Sequence, residues 1–109
     1  MSNSYTYLAD IPGEMEDIPP DSIVSRTLYR DQGVKTILFG FAPGQQLSEH
    51  TAAVPALLYF LEGRASLTLG EDAREAEPGT WVHMPPHLPH SIRAENRVIM
   101  LLVLLEQGT

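Results

Sequence analysis

The chain has 109 residues, enough for one domain with one core. Seven basic residues against fourteen acidic ones give a net charge of −7 at pH 7, a balance that repels phosphate backbones and anionic lipid and argues against nucleic-acid and membrane-surface partners. There is no cysteine, which excludes disulfide frameworks, thiolate metal sites and cysteine nucleophiles together.

Residues 1–22 stand apart from the rest. Glu14, Glu16, Asp17 and Asp21 lie among Pro12, Gly13, Pro19 and Pro20, and no apolar period is sustained. This predicts an extended arm, with one short strand at residues 5–8, that runs along a sheet edge or crosses to a partner. No basic start followed by an apolar core opens the chain, so the expectation is a cytoplasmic protein without a signal or transit peptide.

Residues 23–109 read as one domain of short strands punctuated by glycine and proline. Residues 36–42 alternate, with Ile37, Phe39 and Phe41 on one face, and Pro43-Gly44 ends the run. Residues 56–61 are mostly apolar up to Glu62-Gly63. Residues 64–69 alternate again, with Ala65, Leu67 and Leu69 inward and Ser66 and Thr68 outward. A turn at residues 70–72 precedes short strands at 74–77 and 81–84. Residues 91–94 and 98–105 are expected to form a last hairpin around Glu95-Asn96. The run at 98–105 is far shorter than the ~20 residues needed to cross a bilayer, and it predicts a strand buried on both faces. Trp81, the only tryptophan, is expected in the core. No segment carries a convincing helix of ten residues or more. Nine prolines and eight glycines recur at the spacing of a sandwich or small barrel, so the fold class is all-β.

Chemistry concentrates in the histidines. His83, His87 and His90 fall within one short stretch, WVHMPPHLPHSI, and His50 stands alone upstream. Imidazole is the commonest protein ligand for transition metals and titrates near neutrality, so such a cluster points to a metal site or a proton-handling site. Other chemistries lack their signatures. There is no Gly-x-Ser-x-Gly elbow, no Walker A loop and no G-x-G-x-x-G, and nothing places two carboxylates in one pocket.

The spacing around the histidines narrows the reading. Residues 44–63, GQQLSEHTAAVPALLYFLEG, resemble the first motif of the cupin superfamily, with Gly44, His50 and Gly63 at the expected distances. Residues 78–90, PGTWVHMPPHLPH, resemble the second motif, with Pro78-Gly79, Pro85 and His90 in place. The resemblance implies a double-stranded β-helix, or jelly-roll, barrel, and a homodimer. It also implies a divalent transition metal (Fe, Mn, Ni or Zn) held by His50 and His90. The family's second histidine and its glutamate fall on Ala52 and Ala56, which ligate nothing, so the first motif is degenerate. His83 and His87 are candidate replacement ligands or ligand-binding groups. Glu49 should point away from His50.

If Ala56 faces inward, Leu58 and Phe60 do too, and the interior suits a small hydrophobic or aromatic molecule. They are candidate ligand-binding residues, with ordinary barrel filling as the other reading. The expected function is small-molecule binding in the barrel, with metal at an incomplete histidine site. An oxygenase or isomerase acting on a small organic substrate, and a non-catalytic sensor or carrier, remain alternatives.

Overall fold

The computed structural model describes residues 4–106. Its strands are β1 (Ile23–Arg30), β2 (Lys35–Phe41), β3 (Gln46–His50), β4 (Ala56–Glu62), β5 (Ala65–Leu69), β6 (Asp72–Ala76), β7 (Trp81–Met84), β8 (His90–Ala94) and β9 (Val98–Leu104). They form a five-stranded sheet in the order β1-β2-β9-β4-β7 and a four-stranded sheet in the order β3-β8-β5-β6. Every pairing is antiparallel.

Strand alternation builds the core. Phe41, Leu58, Phe60, Met84 and Met100 of the larger sheet pack against Leu67 and Ile92 of the smaller one. The two sheets therefore close on each other as a jelly-roll sandwich, all-β as the residue pattern predicts and a jelly-roll as the resemblance implies. β9 lies at the centre of the larger sheet between β2 and β4, with Val98, Ile99 and Met100 buried. Both faces are covered over Val98–Met100, as expected, whereas Leu101–Leu104 are half-buried.

The expected hairpin of the last two strands does not form. β8 belongs to the smaller sheet and β9 to the larger, and the chain changes sheets at residues 95–97. A strand apolar at every position needs two covered faces, which only the centre of the larger sheet provides. The β4–β5 connection changes sheets at the same place. The Arg64 amide donates to Asn96 Oδ1 at 2.8 Å and the Glu95 amide donates to the Arg64 carbonyl at 2.9 Å. Gly63 adopts φ +86° at this corner, and a Cβ there would collide with the Arg97 carbonyl, so only glycine fits.

The N-terminal arm also departs from expectation. Residues 5–8 form no strand, and among the described residues the only regular element before β1 is a single 3-10 turn over Pro12–Glu14. Residues 11–18 lie on the face of the larger sheet, because they carry apolar side chains that the outer face can bury. Met15 packs with Leu38 and Ile99, flanked by Ile11 and Ile18. Gly40 makes the room: a Cβ there would sit 2.6 Å from Ile18 Cδ1 and 2.9 Å from Met15 Cγ. The Arg97 guanidinium donates to the Met15 and Glu16 carbonyls at 3.2 and 3.0 Å and pairs with Glu62.

Trp81 is 60% exposed, not in the core. β7 is an edge strand whose buried Met84 fixes the pleat. Val82 therefore turns inward, and Trp81 and His83 turn outward opposite Tyr59 and Leu57.

Candidate functional site

His50 and His90 meet at one end of the smaller sheet, directly opposite each other on β3 and β8. Their ring centroids are 4.2 Å apart with the planes inclined at 55°. Counting alternate residues from Leu47, which pairs with inward-facing Ile92, would turn Glu49 inward and His50 outward. A register shift between Leu47 and His50 inserts one extra residue into β3 and exchanges them. The bulge thus brings His50 to the face that carries His90.

Both rings are oriented the same way. His50 Nδ1 lies 2.8 Å from the Ser48 carbonyl oxygen and His90 Nδ1 lies 2.9 Å from the Leu88 carbonyl oxygen. A carbonyl oxygen only accepts, so each Nδ1 carries the proton, and the lone pair of each neutral ring is left on Nε2. Two imidazoles held through Nδ1–H with Nε2 free are arranged as metal-ligating histidines are. No buried side-chain nitrogen or oxygen lacks a partner among the described residues, so the His90 ring, only 6% exposed, is not a sealed polar orphan.

Burial sets the electrostatics. Desolvation pushes the His90 imidazole below its ordinary pKa of 6.5, with a smaller push from neighbouring His50, against the Leu88 carbonyl, which favours the protonated ring. The unfolded chain then binds a proton at a higher pH than the folded one. In metal-free protein, stability is therefore expected to be complete above about pH 6.5 and to fall as the pH drops toward the lowered folded value. Denaturation midpoints measured across that interval should show the fall, and His90→Gln should flatten it. An equal slope in the variant would remove His90 as its cause.

The other candidate residues are placed as follows. Leu58 and Phe60 face inward as the alternation requires, at 1% and 0% exposure, within the packed core. Ala56 also faces inward, paired with Met84 and Leu104. His83 is exposed on the outer face of β7. His87 is exposed on the loop before β8, in left-handed backbone (φ 68°), and its amide donates to the Ala52 carbonyl at 2.7 Å. Neither joins the His50–His90 pair. Among the described residues no group of three or more His, Cys, Asp or Glu is placed to hold a metal ion. Two features escape sequence reasoning. The carbonyls of Ser48 and Leu88 carry no residue-type signal, and the β3 bulge is invisible without the partner strand.

The architecture and the imidazole pair define a small jelly-roll barrel with histidines at one end. Residues 37–105 match the family model described as Cupin domain, and the chain belongs to that family. No curated protein matches it closely enough in sequence to count as a relative. Among solved structures, it is similar to a cupin superfamily protein from Desulfitobacterium hafniense, at 24% identity and TM-score 0.84, covering 97% of each chain. It is also similar to a conserved Streptococcus pyogenes protein of unknown function, at 26% identity and TM-score 0.83, covering 98% of this chain and 93% of that one. The polyketide cyclase RemF from Streptomyces resistomycificus shares the fold at 20% identity and TM-score 0.71, over 80% of this chain and 67% of that one.

Proposed function

We propose that this protein binds a small organic molecule at the histidine end of its barrel, where His50 and His90 hold a divalent transition metal. One observation carries the reading: both imidazoles are fixed by Nδ1–H bonds to backbone carbonyls, with their Nε2 lone pairs left free on rings 4.2 Å apart. Two nitrogen donors supply half of a tetrahedral shell. The donor set therefore fits a divalent metal bound with modest affinity, its other positions filled by water or by the ligand itself. The flanking side chains on the same face are apolar: Leu69 lies opposite His90 on β5, and Ile92 follows it along β8. They favour an organic ligand with an apolar body. The metal would act as a Lewis acid toward an oxygen or nitrogen of that ligand.

The test is metal content by elemental mass spectrometry on untagged protein, followed by titration of the metal-free chain with Co(II), Ni(II) and Zn(II). About one metal per chain is expected, with His50→Ala and His90→Ala each weakening binding at least about tenfold. His50 is exposed and buried His90 lies outside the apolar clusters of the core, so the variants should fold. Undiminished stoichiometric binding in the double variant would overturn the site.

A further inference from the structure

Among the described residues the two sheets are not joined by strand pairing, and β6 and β7 lie at their ends. β6 ends the smaller sheet and β7 ends the larger, and among the described residues neither has a partner on its outer edge. A cavity of about 320 Å³ lies between them. Leu67 and Leu69 supply an apolar floor and Val82 an apolar wall, while Trp81 and His83 stand at the mouth.

Arg74 gives this slot its chemistry. It pairs with Leu67 across the β5–β6 ladder and shares the pleat of buried Ala76. Its side chain therefore leaves the inner face of the smaller sheet, toward the gap, rather than the solvent face. The guanidinium donates one bond to the Ala73 carbonyl at 3.1 Å. None of the ion pairs among the described residues involves it. The acidic residue lining the slot is Glu75, which has the opposite parity, and its carboxylate lies on the outer face 3.5 Å from the Ser66 hydroxyl. A cation over apolar side chains complements an anion carried on a flat apolar body.

We propose that the slot between the free edges of β6 and β7 is a second binding site, taking a small aromatic carboxylate with Arg74 as partner of the anion. Arg74 meets the carboxylate through its fork of N–H donors, and the ring of the ligand packs on Leu67, Leu69 and Val82, with Trp81 at the mouth of the slot. The site borders the histidine end, since Leu69 flanks both, but neither His50 nor His90 lines it and it needs no metal. The competing role for an inward charge on an edge strand is to block edge-to-edge pairing between molecules.

Trp81, the only tryptophan, reports directly on the slot through its fluorescence. Benzoate and phenylacetate, with benzamide and phenylacetamide as neutral counterparts, should be titrated into the whole protein in EDTA, with backbone amide shifts of β6 and β7 followed in parallel. The acids are expected to bind with Kd of about 1 mM or tighter, and the amides about tenfold more weakly. Arg74→Gln should abolish the preference for acid over amide, and Arg74→Lys should keep part of it, as a charge without the fork. Equal binding of acids and amides overturns the proposal, and so does acid binding unaltered in Arg74→Gln. Binding that vanishes in EDTA assigns the anion to a metal instead. No acid binding, with Arg74→Gln self-associating, leaves Arg74 as an edge guard only and also overturns it.

Discussion

Phe60→Ala is expected to lower the stability of the barrel by about 3–5 kcal/mol, the range for removing a fully buried aromatic side chain. Phe60 is 0% exposed and sits in the shared core of the two sheets with Leu58, Met84 and Met100. Truncation leaves a cavity that its neighbours cannot fill without moving both sheets. Against the roughly 5–15 kcal/mol that holds a domain together, the variant should be partly unfolded near physiological temperature. Urea denaturation with a far-ultraviolet readout measures it, with Leu58→Ala in parallel at about 2–5 kcal/mol. The measurement also separates two roles that alternation cannot distinguish. Core packing predicts the full loss, whereas side chains lining an open ligand pocket leave less behind when truncated. A loss below about 1 kcal/mol would return Leu58 and Phe60 to the pocket wall.

Much of the fold is legible in the sequence, for local reasons. The inward set Ala65, Leu67 and Leu69 and the doubly covered stretch at 98–100 depend on apolar periodicity, which a strand cannot violate without exposing its core face. What is lost depends on which strand lies next to which. Residues 91–94 and 98–105 look like hairpin partners because a short polar turn joins them, yet the same turn serves a crossing between sheets. Trp81 fails for a related reason: an edge strand follows the same alternation as a central one, but its outward face meets solvent. The arm escapes because its burial rests on the vacancy at Gly40 in a distant strand.

The site divides in the same way. The spacing that places His50 and His90 in the two cupin motifs also places them together in space. Sequence cannot show that a bulge, not simple alternation, turns His50 toward His90, nor that backbone carbonyls fix both ring tautomers. The direction of His83 stays open until buried Met84 sets the pleat of β7. Arg74 carries no motif at all. Its inward position becomes visible only through its register with Leu67.

The second large effect concerns the two alanines. Ala56→Glu in metal-free protein should cost about 2–5 kcal/mol, because position 56 is 1% exposed and a carboxylate there is desolvated without a partner. Ala52→His alone should cost little, since Ala52 lies in a half-buried loop whose fixed contact is made by its backbone carbonyl. Combined, the substitutions restore the family's donor types at its motif positions, adding an imidazole and a carboxylate to His50 and His90. With divalent metal, the buried carboxylate gains a cation, and binding to the folded state alone feeds back into stability. At a free metal concentration about 100 times Kd the return is about 2.7 kcal/mol, enough to offset much of the Ala56→Glu penalty. Thermal unfolding of the double variant with Zn(II) or Ni(II), against EDTA, should therefore show a rise several degrees larger than the wild-type chain shows. A double variant that stays destabilised in metal would mean that residues 52 and 56 no longer converge on the His50–His90 pair. In that case the geometry of this barrel has moved along with its ligands, and its present site uses the two imidazoles without the rest of the family's donor set.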